Sequence, residues 1–217
     1  MNLKSLICYV VLGILLMGSG IVVSCDSFNE DLPECRLLVK FKYDYNMEFA
    51  DAFHAQVDKV ELYIFDKDGK FMFKQAEEGS ALSTGNYLME VELPVGQYQF
   101  MAWAGARDSY DITPLTPGVS TITDLKLKLK REASLIINKK METLWYGEII
   151  GVNFTGTEHQ TETINLIRDT KIVRFGFQSY TGTWTLDMND YDYEIIESNG
   201  HLGHDNSLQD DDVLDRK

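Results

Sequence analysis

The sequence predicts an all-β protein built of two β-sandwich domains, the second incomplete. Three observations predict it. Apolar residues repeatedly alternate with polar ones at a period of two, the mark of a half-buried strand. Turn-forming Asp, Gly and Pro recur at short intervals between these runs. No long amphipathic helix interrupts them. The chain of 217 residues is 44% hydrophobic and 12% aromatic, enough to bury a core. Its formal net charge of −14 argues against a nucleic-acid partner, because phosphate binding needs clustered Lys and Arg. Three Cys and four His argue against a disulfide framework or a multi-cysteine zinc site, and no cofactor is expected.

Residues 1–24 read as a signal peptide rather than as part of the fold. Lys4 is followed by an apolar run from Leu6 through Val23, long enough to be weighed as a membrane helix. The run ends in Val22-Val23-Ser24-Cys25, two apolar residues, a small one and a cysteine, which resembles a bacterial lipobox. Acidic residues follow (Asp26, Glu30, Asp31 and Glu34), where a membrane helix more often stops at Lys or Arg. Cys25 is therefore the predicted lipidation site, and residues 25–36 the lipidated tether. Two or three acyl chains hold a protein firmly where one does so only marginally. A chain this acidic should stand off an anionic leaflet rather than lie on it. Cys35 is left without an intrachain partner and reads as a small buried hydrophobe at the entry to the first strand.

The first sandwich is expected over residues 37–131. Leu37, Val39, Phe41, Tyr43 and Tyr45 alternate with Leu38, Lys40, Lys42 and Asp44, and 37–45 is a candidate groove-edge strand. A short helix is the reading for 47–57. Residues 57–65 form a second strand, turned by Asp66-Lys67-Asp68-Gly69 into 70–75. That turn resembles the start of a calcium loop but lacks the Glu at its end. Residues 87–93 and 97–104 are strands about the turn Pro94-Val95-Gly96. Residues 107–123, with Pro114 and Pro117-Gly118, read as a loop. In 124–131, Leu125, Leu127 and Leu129 alternate with Lys126, Lys128 and Lys130, so a strand puts three lysines on one solvated face that discourages edge pairing.

The second domain is expected over 132–217. Its strand candidates are 133–138, 143–150, 161–167, 171–178 and 191–197, too few to close a sandwich. A polar tail begins at about 200, and His201-Leu202-Gly203-His204-Asp205 reads there as a mobile loop rather than a metal site.

For catalysis, no Gly-x-Ser-x-Gly and no phosphate-binding Gly loop occurs, and His54 has no nucleophile near it in sequence. No catalytic residue and no metal ligand is assigned. A glycan-binding surface lipoprotein is the alternative from another class, with Trp103, Trp145 and Trp184 as stacking candidates. Trp103, between Ala102 and Ala104 in a strand, looks packed instead.

The ordered set of features resembles the FimB-like anchor lipoproteins of Bacteroidetes type V fimbriae. It comprises Cys25, Cys35, Phe41-Lys42-Tyr43-Asp44-Tyr45-Asn46-Met47, Ala50-Asp51-Ala52-Phe53 and Val60-Glu61-Leu62-Tyr63-Ile64-Phe65-Asp66. Leu93-Pro94-Val95-Gly96-Gln97-Tyr98, Ala102-Trp103-Ala104-Gly105, Leu144-Trp145-Tyr146-Gly147 and Asn165-Leu166-Ile167-Arg168 continue it. The resemblance implies transthyretin-like sandwiches held at the outer membrane by lipid on Cys25. It also implies fimbrial shaft subunits as partners, joined by donor-strand pairing, and a role in tying the shaft to the cell and limiting its length. The family's chains usually run longer than this one.

Overall fold

The structure, a computed structural model, describes residues 35–131, 137, 139–156, 159–180, 182, 187–192 and 194–210. Residues 35–217 form one compact unit. Cys25 and the strand expected at 133–138 lie outside the described residues, apart from 137.

Ten strands are found among these residues: β1 Leu37–Lys42, β2 Lys59–Asp66, β3 Phe71–Glu78, β4 Met89–Val91, β5 Gly96–Ala104, β6 Tyr110–Ile112, β7 Leu127–Leu129, β8 Trp145–Phe154, β9 Gln160–Arg168 and β10 His201–Leu202. The one α-helical turn among the described residues, α1 Phe53–Gln56, is far shorter than the expected 47–57. Seven strands make one curled sheet in the order β3-β2-β5-β8-β9-β1-β4, and three make a second, β10-β7-β6. The all-β class and the sandwich-like arrangement expected from the period-two pattern are what the structure shows.

The curl encloses the main core. Leu37, Val39 and Phe41 of β1 turn inward, and Lys40 between them is exposed. They meet Val60, Leu62 and Ile64 of β2 and Phe100, Ala102 and Ala104 of β5. The opposite face of β2 and β5 is buried as well. Tyr63, Phe65, Met101 and Trp103 pack there against Leu125, Leu127, Tyr110 and Leu202 of the smaller sheet and its flanks. Covering on both faces explains why β2 reads as an almost continuous buried run. Trp103 is wholly buried and meets Tyr146 edge-on, with ring centroids 5.4 Å apart. The hairpin at Asp66 forms as its sequence requires. Asp66 Oδ1 accepts from the amides of Asp68 and Lys70, and Gly69 takes φ +75°.

Several expectations are corrected. The boundary at 131/132 does not separate two sheets, because β8 and β9 lie between β5 and β1. β9 runs parallel to β1, Leu37 opposite Gln160 and Lys42 opposite Asn165. Of the strands assigned to a second domain, β8 and β9 therefore complete the first sheet, and 171–178 and 191–197 form no strand among the described residues. The stretch 107–123 contains β6, and β7 is central rather than an edge, between β6 and β10. Lys126, Lys128 and Lys130 do share the more exposed face, opposite the buried Leu125 and Leu127. The tail at 200 is not a free loop. His201 and Leu202 are buried, and Asn206 Nδ2 donates to Asp169 Oδ1 at 2.8 Å.

Candidate functional site

Two features of this fold can receive a partner: an unclosed seam in the sheet and the two poles of the sandwich. The seam lies between the terminal strands β3 and β4, which the curl brings face to face. One side-chain hydrogen bond spans it, Gln75 Nε2 to the Glu90 carbonyl at 2.9 Å. Phe73, Gln75, Glu90 and Glu92 line a cavity of about 430 Å³ there. β4 has only three residues, so the main-chain groups flanking it are not all used in a ladder.

The poles are set by strand direction. Cys35 and Arg36 enter beside the β8–β9 turn, where Cys35 Sγ donates to the Gly156 carbonyl and the Gln160 amide donates to the Arg36 carbonyl at 2.9 Å. Because β9 runs parallel to β1, its last residue, Arg168, lies at the opposite pole. Nine residues at about 3.3 Å each carry β9 roughly 26–30 Å from one pole to the other. The same distal pole holds the loop 43–52 after β1 and the turn at Gly105, where φ is +72°. A Cβ at Gly105 would stand 2.0 Å from the Thr143 carbonyl oxygen and 2.8 Å from the Trp145 ring.

Two carboxylates, buried Glu61 and half-buried Asp169, are structural. Glu61, 7% exposed, accepts from Lys74 Nζ at 2.9 Å and from the Tyr63 hydroxyl at 3.1 Å. Burial, reinforced by that carboxylate, pushes the Tyr63 hydroxyl well above its ordinary range. Asp169, just past β9, is raised to about 6 by burial, against the opposing pull of its bond from Asn206 and the charge of Lys171. Its amide donates to the Leu144 carbonyl at 3.0 Å. Tyr110 and Tyr146 are both pushed up to about 12, chiefly by burial.

The structure redistributes the residues singled out in the sequence. Cys35 is exposed rather than buried. β1 is paired on both sides, antiparallel to β4 and parallel to β9, so 37–45 does not form a groove edge. The terminal strands of the sheet are β3 and β4 instead, and the four glutamates at 77, 78, 90 and 92 were the available sequence signal. Trp103 and Trp145 are buried, at 0% and 3% exposure, and cannot stack on a sugar. Trp184 lies outside the described residues. His201 is a core residue, its Nδ1 3.0 Å from the Asp210 carbonyl. No group of three or more His, Cys, Asp or Glu side chains gathers at a common point among the described residues.

A family model described as Fimbrillin-A associated anchor proteins Mfa1 and Mfa2 matches residues 32–215. The chain belongs to this family. The minor fimbrium anchoring subunit Mfa2 of Porphyromonas gingivalis is 25% identical over 199 residues, which cover 87% of this chain and 59% of that one. A crystal structure from Bacteroides thetaiotaomicron, described as a candidate polysaccharide-binding protein, is 92% identical with a TM-score of 0.81. The match covers 83% of this chain and 64% of that one. A candidate adhesin from Bacteroides ovatus is 30% identical with a TM-score of 0.69, over 87% of this chain and 63% of that one. The chain thus spans less than two thirds of the length of each of these relatives.

Proposed function

We propose that this protein is an outer-membrane lipoprotein, acylated on Cys25 after removal of residues 1–24. In this reading it ties the base of a fimbria to the cell and helps limit its length. The observation that carries this within a fimbrial anchor family is that Cys35 enters at one pole while β9, parallel to β1, ends at the other. A tether of about ten residues from Cys25 to Cys35 spans at most roughly 36 Å. The tether joins the pole where Cys35 enters, and β9 ends at the opposite pole. The chain's net charge of −14 supports a body held off an anionic leaflet by its lipid rather than lying on it.

The seam supplies the place for β pairing with a shaft subunit. An extended segment entering between β3 and β4 would gain main-chain hydrogen bonds from two strand edges, with register set by pockets such as that at Phe73. Hydrogen exchange tests this directly. Adding sheared fimbriae should protect amides within 71–78 and 89–91. Unchanged exchange there, with binding intact, would exclude the seam as the pairing site. Anchoring itself is tested by palmitate labelling. Label should enter the wild-type chain and not Cys25→Ala, and equal labelling of both would refute acylation at Cys25.

A further inference from the structure

Residues 200–210 form a strap that closes back onto the fold long after β9 has ended. Its His201 and Leu202 are β10, which pairs with β7, and the Leu129 amide donates to the Gly200 carbonyl at 2.7 Å. Leu202 packs with Trp103 and Tyr146. The strap then folds on itself. The Gly203 amide donates to the Ser207 carbonyl at 2.8 Å, and the Gln209 amide to the His201 carbonyl at 2.9 Å. Asn206, in the turn, takes φ +62°, a left-handed conformation that Asn adopts more readily than most residues. That turn brings its side chain to Asp169, 37 residues earlier and just past β9.

The two side chains meet with half of their hydrogen bonds made. Asn206 Nδ2 donates to Asp169 Oδ1 at 2.8 Å. Asp169 Oδ2 and Asn206 Oδ1 are both buried, and no donor among the described residues reaches either. Unpaired buried acceptors are costly, and two acceptors cannot serve each other. A single proton on Oδ2 supplies the donor that Asn206 Oδ1 lacks.

We propose that Asp169 carries this proton, and that the resulting acid–amide pair is a pH-sensitive clip holding the strap to the end of β9. Closed, the pair has two parallel hydrogen bonds, Nδ2–H to Asp169 Oδ1 and Oδ2–H to Asn206 Oδ1. Loss of the proton removes the second bond and sets a charged oxygen beside the amide oxygen, so the strap opens more readily. Burial acts in the same direction, raising Asp169 to about 6. Lys171, on the segment after β9, pulls the other way, with its Nζ donating to the Arg168 carbonyl at 2.8 Å. Tyr110 of β6 and Tyr146 of β8 lie within the field of Asp169 and stay neutral, both pushed up to about 12. Around those rings stand Glu142, Glu148 and Asp205. Hydrogen bonds from Ser109 hold Glu142, and those from Ser207 hold Asp205, below the usual carboxylate range. His201 and His204 of the strap complete the set.

Amide hydrogen exchange in the full chain tests the clip, read at pH about 5 and about 7.5 and corrected for intrinsic rates. With the carboxyl at about 6 when closed and 3.8 when open, the Gly203, Asn206 and Gln209 amides should lose about tenfold in protection between the two. They should exchange faster than amides of β2 and β5, because the strap opens alone. In Asp169→Asn the new amide can donate to Asn206 Oδ1 at every pH, so protection should be equal at both. Asn206→Gly suits the left-handed turn but removes the partner, and most of the change should disappear. A full change persisting in Asn206→Gly would overturn the proposal, since burial alone would then account for it. A change persisting in Asp169→Asn would overturn it too, and would belong to His201 or His204. Wild-type strap protection that ignores pH, or that equals that of β2 and β5 throughout, would overturn it as well.

Discussion

Replacing Asp169 with asparagine should stabilise the protein at neutral pH and lose that advantage in acid. The carboxyl lies just past β9, takes a hydrogen bond from Asn206 on one oxygen, and has no hydrogen bond to its buried Oδ2. Burial raises it from an ordinary value of 3.8 to about 6. A raised carboxyl binds its proton more tightly in the folded state than in the unfolded one. Stability therefore falls as pH rises from about 4 to about 6 and is level above that. A shift of about two units corresponds to an upper bound of roughly 3 kcal/mol at pH about 7.5, reduced by residual solvent contact. In the Asp169→Asn variant the side-chain carbonyl would still accept from Asn206, without the charge. Guanidinium unfolding of both proteins across pH about 4 to 7.5 measures the difference. It should be largest at the top of this range, about half as large near pH 5, and close to zero at pH about 4. A variant no more stable than wild type at pH about 7.5, or a difference that does not change with pH, would refute the reasoning.

Three further outcomes follow from the geometry. Gly105→Ala places a methyl against the Thr143 carbonyl at a positive φ and should lower the thermal midpoint sharply, by more than the roughly 1 kcal/mol a strained turn alone costs. Trp103→Ala empties the centre of the outer core and should cost about 3–5 kcal/mol, read as a shift in denaturant midpoint. Cys35→Ser should change stability by less than about 0.5 kcal/mol, because the thiol is exposed, and it should abolish any disulfide-linked dimer seen on non-reducing gels.

Local structure was legible in the sequence where one strand and one turn sufficed to define it. β1, the β2–β3 hairpin at Gly69 and β5 after Pro94 follow from alternation and turn chemistry alone. What alternation does not contain is which strands become neighbours. β1 pairs with β9, more than 120 residues later, and no periodicity records that choice. For this reason alternation did not show that β8 and β9 join β5 and β1 in one sheet, or that β1 is paired on both sides and so forms no groove edge. Length misled in two places. Tyr110–Ile112 is a three-residue strand hidden among prolines, and His201–Leu202 is a two-residue strand in a polar tail. Both are held by pairing to β7 rather than by their own pattern. Cys35 was misplaced because the first buried residue of the sheet is Leu37, two positions further on. The seam was missed because its walls, β3 and β4, close on each other only through the curl of the whole sheet.

The central claim, that this chain holds a fimbria to the cell through Cys25, is tested most directly by electron microscopy. Cells carrying Cys25→Ala are compared with wild type, and fimbriae are counted on the surface and in the culture fluid. Anchoring through Cys25 predicts long fimbriae released into the medium and few on the cells. Fimbriae retained on the surface at wild-type number and length would contradict it.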